Sequence, residues 1–263
     1  MSKIKVVISG ISGKMGQESL KAVSSQTDMI ITGGIYKSSE SSKINLPPNS
    51  SNITITNNLE EIISDADVLL DFTNSEVAMR AIRVAANHKV KVVTGSTGFN
   101  SKMIEEIKAI AQHNQLGIIV APNFAIGAVL MMHLAKTAGK FFDYADLIET
   151  HHEQKLDSPS GTAISIAKSA LENRTTPFNS VKSQKELVEG TRGGIIEGIN
   201  IHSSRMPGRV AHHELTFGAI GQTFTIKHDS INREGFMPGV VMAIRHIINE
   251  SSFIWGLEKV MKL

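Results

Sequence analysis

The residues best equipped for chemistry lie close together, between Glu149 and Ala163. Two adjacent histidines, His151 and His152, precede Lys155 by four and three positions. A histidine exchanges protons near neutral pH, and a lysine supplies positive charge. Pro159 stiffens the approach to Ser160, a natural N-cap, so the amides of Gly161 and Thr162 belong to the first turn of a helix. A helix N-terminus stabilises an anion. Proton donors beside an anion-binding helix start make an acid and an anion clamp: the equipment to hold a small anionic substrate and protonate it.

A second cluster opens the chain. Gly10-Ile11-Ser12-Gly13-Lys14-Met15-Gly16 follows an apolar strand pattern and leads into a helix. Glycines allow a tight turn and a close approach of backbone N–H groups to a pyrophosphate, which the helix start then favours. The spacing is GxxGxxG rather than GxGxxG, so the strand-loop-helix context carries the reading, with a plain turn as the alternative. A ribose-binding carboxylate is expected about 20 residues further on. None stands between Gly33 and Ser38. Lys37, Ser38 and Ser39 suit a 2′-phosphate and favour NADPH over NADH, an ordinary polar loop being the alternative. Gly95-Ser96-Thr97 and Ala121-Pro122-Asn123-Phe124 close two later strand patterns and border the same crevice. Gly95 there admits a nicotinamide ring, and Asn123 or Phe124 bonds its amide or covers a face.

These groups need a frame. Apolar runs at Ile4–Ser9, Met29–Ile35, Val68–Phe72, Val90–Thr94 and Gly117–Ala121 alternate with helical patterns such as Ser75–Asn87 and Ser101–Asn114. That rhythm predicts a Rossmann-type, doubly wound parallel sheet with a ligand crevice at its strand ends. From Lys37 to Asn52 the Ser/Asn/Pro-rich sequence reads as a loop. Beyond Asn123 the pattern changes to a helix at Ile126–Lys140, a strand around Leu147, a helix from Thr162 and β-rich sequence from Ile195 to His228. This predicts a second α+β domain for substrate binding and oligomerisation. A last helix, Val240–Asn249, is expected to return to the first domain. The expected division is 1–122 with 234–263 for the dinucleotide, and 123–233 for the substrate. With the two ligands on different domains, catalysis is expected to require closure, hinged near Asn123 and between Ser230 and Gly235.

Composition narrows the rest. The 263 residues carry a formal charge of +2, which gives no reason to expect a nucleic-acid partner. Without cysteine there is no disulfide, thiolate metal site or cysteine nucleophile. The N-terminal residues run straight into a strand pattern, and no apolar stretch reaches the length of a membrane span, so a cytoplasmic protein is expected. His202, His212, His213 and His228 lack the spacing of a metal site, and the last three are expected as strand-face or network residues. Arg233 is suited to a substrate carboxylate or to a link between the domains, and equally to solvent. A non-catalytic sensor of the nucleotide, or a hydroxy-acid or aldehyde dehydrogenase, shares the fold expectation. The first has no use for a proton donor, and the others need an Arg/His pair or a cysteine not evident here.

Taken in order, the motifs resemble those of the dihydrodipicolinate reductase family over nearly the whole chain. The glycine loop, Asp71-Phe72-Thr73, Gly95-Ser96-Thr97-Gly98, Asn123-Phe124 and above all His151 to Ala163 (HHxxKxDxPSGTA) match its segments. The resemblance implies reduction of 4-hydroxy-tetrahydrodipicolinate by NADPH or NADH in lysine and diaminopimelate synthesis, and a homotetramer. It implies that His151 is the general acid, Lys155 a second donor or electrostatic partner, and His152, Gly161 and Thr162, with Ser160, the holders of the substrate carboxylates. Three positions depart from the pattern: Ser96 for threonine, Ala125 for serine, and Tyr36 where some members place a ribose-binding acid. The last leaves cofactor preference open.

Overall fold

In this computed structural model, residues 2–37, 44–46 and 53–263 are described. The loop expected between Lys37 and Asn52 lies largely outside them, as do Ser38 and Ser39. The chain divides into two compact units, one running to Phe124 and resuming at Phe236, the other Ala125–Gly235.

The first unit is built on seven strands in the order β12-β6-β5-β4-β1-β2-β3. They are β1 (Ile4–Ser9), β2 (Met29–Ile35), β3 (Thr54–Thr56), β4 (Val68–Asp71), β5 (Lys91–Thr94), β6 (Ile118–Val120) and β12 (Phe253–Trp255). All neighbours pair in parallel, so every strand ends at the same edge. Continuous apolar strands are what a sheet covered on both faces requires, and β4 is buried at all of its positions. By the pleat, Val7, Leu69, Val92 and Ile118 share one face and pack with α2 (Ser75–Asn87) and α3 (Ser101–Asn114) through Ile82, Ala85 and Ile107. On the opposite face α1 (Lys14–Ser24) meets α6 (Met237–Ile247), the returning helix. Each fully buried aliphatic side chain contributes about 1.5–3 kcal/mol. Asn74 and Asn100 fix the starts of α2 and α3 by accepting backbone N–H groups at 3.0–3.1 Å. The order is that of a doubly wound Rossmann sheet, as expected. Two edge strands, β3 and β12, escape sequence reading because three residues are too few to show a period.

In the second unit, five strands run in the order β11-β10-β7-β9-β8. These are β7 (Tyr144–His151), β8 (Gly194–Ile196), β9 (Ile199–Arg205), β10 (Ala211–Ala219) and β11 (Gln222–Ser230). The sheet is mixed: β7 pairs in parallel with β9 and antiparallel with β10. One face is covered by α4 (Ile126–Gly139) and α5 (Gly161–Leu171), whose Met131, Ala135, Ile166 and Ala170 pack on Leu147, Leu215, Phe217 and Ile199. Helix α5 begins at Gly161, directly after the expected Ser160 cap. The opposite face leaves Tyr144, Ile148 and Ile195 exposed.

Candidate active site

Along β7 the strand period points Ala145, Leu147, Glu149 and His151 to the covered face. Register then sets three rows across the sheet. Leu147 lies beside Leu215 and Ile201, Glu149 beside His213 and Ser203, and His151 beside Ala211 and Arg205. The covered face therefore changes from apolar to polar within one strand, and the polar end meets the start of α5.

There Glu149, with no exposed surface, gathers the other groups. Its Oε2 pairs with Nδ1 of His151 and accepts from Nη1 of Arg205 at 2.9 Å. Its Oε1 accepts from Nη2 of Arg205 at 2.8 Å and from the backbone N–H of Ser160 at 3.3 Å. Burial pushes the Glu149 carboxyl up, but hydrogen bonds from Arg205, Ser203 and His151 outweigh it and hold the pKa at about 2. Glu149 is thus an anion at any working pH. For His151, burial depresses the pKa, the adjacent carboxylate opposes this, and the charges of Lys155 and Arg205 add to the depression. With Nδ1 turned to Glu149, Nε2 is the nitrogen left to exchange a proton with a substrate.

Ser160 caps α5 as expected: its hydroxyl accepts the N–H of Ala163 at 3.1 Å and lies 3.2 Å from Nε2 of His213. A side chain added at Gly161 would meet nothing within 4 Å, so the helix start opens onto space. His152 follows the end of β7 and Thr162 sits in the first turn of α5, both half-buried. Lys155, on the intervening loop, pairs with Asp157 at 2.7 Å. The rings of His151 and His213 stand edge to face, 5.3 Å apart. Burial, with the charge of His151 next, pushes His213 down to about 4, so it is a neutral neighbour at pH 7. His212, one residue earlier, faces the opposite side and pairs with Asp229 at 2.8 Å.

In the first unit, the glycine loop is shaped by close backbone contact. Gly10 adopts a φ of +79°, and a Cβ at Gly16 would lie 2.1 Å from the Gly10 carbonyl. Such a loop fits a dinucleotide, because only glycine lets the start of α1 come so near the strand end. The N–H groups of Gly10 and Ile11 both donate to the Ile35 carbonyl at 3.0 Å, and the Ile11 side chain is fully buried. These two residues shape the turn, and their N–H groups are committed to β2. The start of α1, with Gly13 at its N-cap and Lys14 and Met15 following, carries the helix-terminal charge. Lys37 is exposed just beyond the end of β2.

The next loops hang on Asp71, a buried carboxylate at the end of β4. Its Oδ1 accepts from the Thr73 hydroxyl at 2.7 Å, and its Oδ2 from the hydroxyls of Thr94 at 2.8 Å and Ser96 at 2.6 Å. The Ser96 hydroxyl is turned inward to Asp71. At Gly95 a Cβ would lie 2.2 Å from the Phe72 ring and 3.0 Å from that of Phe124, so only glycine lets the loop backbone pack on these rings. Those rings pack edge to face at 5.6 Å, and Phe124 is 2% exposed, so its ring is a core element. Thr97 follows as an exposed residue, and Ala121 begins the last loop with its N–H bonded to the Thr94 carbonyl at 3.0 Å, ahead of Pro122 and Asn123.

Residues 4–124 match the family model described as dihydrodipicolinate reductase, N-terminus, and residues 127–261 the one described as its C-terminus. The chain belongs to the dihydrodipicolinate reductase family. It is 46% identical over 265 residues to the 4-hydroxy-tetrahydrodipicolinate reductase of Dehalococcoides mccartyi, with both chains covered in full. To the protein of that name from Listeria welshimeri it is 40% identical, over 98% of this chain and all of the other. A dipicolinate-bound dihydrodipicolinate reductase from Paenisporosarcina sp. TG-14 superposes with a TM-score of 0.89 at 40% identity, covering 98% and 99% of the two chains.

As a member of the dihydrodipicolinate reductase family the chain is an oxidoreductase, and its first unit is a nucleotide-binding Rossmann domain. Membership removes the sensor reading and the hydroxy-acid and aldehyde dehydrogenase readings. No helix among the described residues is long and apolar enough to cross a membrane. The structure brings His151, Ser160, Gly161 and Thr162 to one end of the second sheet, with Lys155 on the loop that joins them. Sequence reading gave no role to Glu149, Arg205 or Asp71, whereas His213, expected as a strand-face or network residue, joins the network through Ser160. Glu149 had a usable signal, since it follows Leu147 at the strand period and precedes His151 at the same period. Arg205 had none, because only sheet register brings it to His151.

Proposed function

We propose that this reductase converts 4-hydroxy-tetrahydrodipicolinate to tetrahydrodipicolinate in lysine and diaminopimelate synthesis, in the cytoplasm. The observation that carries the reading is the gathering of a carboxylate-bound imidazole, a lysine and an open, capped helix start at one polar sheet end. A relative 40% identical is described with dipicolinate bound, which supports a dicarboxylate as the ligand of this end.

A bound nicotinamide dinucleotide supplies the hydride. The first unit's glycine loop from Gly10 to Gly16, together with Gly95, Ser96, Thr97, Ala121, Pro122, Asn123 and Phe124, is proposed to hold it. Lys37, exposed just beyond β2, is proposed to receive a 2′-phosphate, so NADPH is the proposed donor, with NADH also accepted. The substrate's carboxylates sit at the Gly161 and Thr162 amides, helped by His152 and Ser160. Hydride arrival at a carbon conjugated with the ring imine leaves negative charge, which His151 quenches through Nε2. The 4-hydroxyl leaves beforehand as water with a proton from the adjacent ring carbon, which creates the conjugated double bond, so one hydride and one proton are consumed for each product. Burial alone would keep His151 neutral, but a bound dicarboxylate adds negative charge and favours the imidazolium. Lys155 adds a fixed positive charge where the negative charge develops.

Closure of one unit on the other would bring donor and acceptor together. The exposed face with Tyr144, Ile148 and Ile195 supports self-association, for which a homotetramer is proposed. Light scattering giving the mass of one chain would contradict it. For the site itself, pyridine-2,6-dicarboxylate should compete with substrate, raising KM without changing kcat. Inhibition that lowered kcat at unchanged KM would place the dicarboxylate elsewhere.

A further inference from the structure

We infer that Glu149, gripped by Arg205, is the positioning residue that holds His151 in register with the anion-binding start of α5. The inference rests on the proposed role of His151 as the proton donor.

The contacts of one carboxylate make the case. Oε2 takes the Nδ1 side of the His151 ring, which fixes the ring's orientation and leaves Nε2 as the outward nitrogen. Oε1 takes the N–H of Ser160, the cap residue of α5. The proton donor and the proposed carboxylate cradle are therefore tied to the two oxygens of a single buried group. Arg205 closes the arrangement. It meets both oxygens through Nη1 and Nη2, and the same two nitrogens reach the carbonyls of Ser204 and Asp157, each at 2.7 Å. The Asp157 contact anchors the loop that leads into Ser160.

A buried carboxylate paired with a partly buried guanidinium is costly to desolvate and adds little net stability, so a structural purpose alone is poorly served by it. A two-pronged grip on a carboxylate that also holds a histidine and a helix cap does serve a site needing fixed geometry. Arg205 has a second effect: by keeping Glu149 ionised it leaves the exchangeable proton on the imidazole rather than on the carboxyl. The charged or titratable groups around the His151 ring are Glu149 on its own strand, Arg205 on β9, His213 on β10 and Lys155 with Asp157 on the loop.

The test compares Glu149→Gln, Arg205→Gln and Arg205→Lys in the full-length protein. It reads the NMR titration of the His151 ring and the pH profile of kcat/KM with NADPH and 4-hydroxy-tetrahydrodipicolinate. Glu149→Gln keeps the shape and removes the charge, so the imidazolium loses its partner. The His151 pKa should fall by about 1–3 pH units, the alkaline limb of the profile should move down with it, and kcat should drop about 10²-fold or more. Arg205→Gln removes a positive charge and should move both in the opposite direction. Arg205→Lys keeps the charge but loses the fork, and should lower kcat with the limb nearly in place. If Arg205→Gln does not fold, the Glu149→Gln and Arg205→Lys pair decides. An unchanged His151 titration and profile in Glu149→Gln would overturn the inference. If the His151 titration moves as expected while the turnover profile stays put, positioning by Glu149 stands and the proton-donor role of His151 fails.

Discussion

Replacing His151 by alanine is expected to lower kcat about 10²–10⁴-fold, the usual worth of a positioned general acid. NADPH affinity should stay close to that of the unaltered protein, because the proposed nucleotide site lies on the other unit. Two features make the effect large. The imidazole is held by a fully buried carboxylate, so no other side chain can occupy the same place with the same proton. Its neighbour His213, pushed down to about 4, carries no exchangeable charge at neutral pH to substitute for it. Lys155→Ala should also lower kcat with unchanged nucleotide binding, and by less, since its charge acts from the loop. Stopped-flow turnover and a nucleotide titration on the same preparation give both quantities. A His151→Ala protein with near-normal kcat would remove the imidazole from the chemistry.

Asp71→Ala should damage the opposite half of the enzyme. It strips the shared acceptor from the hydroxyls of Thr73, Thr94 and Ser96, all bonded to Asp71 at 2.6–2.8 Å. Leaving buried donors unmet costs about 1–3 kcal/mol each, and some re-pairing is open to them because Thr73 and Ser96 already lie 3.5 Å apart. A net loss of about 3 kcal/mol is expected, with weakened dinucleotide binding because the loops after β4 and β5 lose their common anchor. Asp71→Asn retains one acceptor oxygen and should lose less of both. Thermal unfolding and nucleotide fluorescence check this. Wild-type values of both for Asp71→Ala would mean that the carboxylate does not organise these loops.

How much could be read from the sequence depends on the range over which each feature is encoded. The parallel sheet was legible because continuous apolar strands, helical periods and the glycine loop are all local signals. Ser160 was legible as a cap for the same reason, since its role is fixed by the residues just after it. The edge strands β3 and β12 were not, being too short for a period. Nor was the true constraint on Gly95, which comes from Phe72 and Phe124 in two other segments. Nor was the bond of the Ser96 hydroxyl, whose acceptor, Asp71, comes from the neighbouring strand. The same limit hid Arg205. A residue whose partner is set by sheet register carries no mark in its own neighbourhood. The His151 to Ala163 segment holds the groups proposed to react, while what holds them lies on β7, β9 and β10.

The most direct test of the account is nucleotide oxidation by the purified protein, followed by the loss of reduced-nicotinamide absorbance, with freshly generated 4-hydroxy-tetrahydrodipicolinate. The account predicts rapid oxidation that depends on that substrate, with one nucleotide consumed per tetrahydrodipicolinate formed and NADPH used at least as well as NADH. No substrate-dependent oxidation with either nucleotide, by a folded protein that still binds one of them, would contradict it.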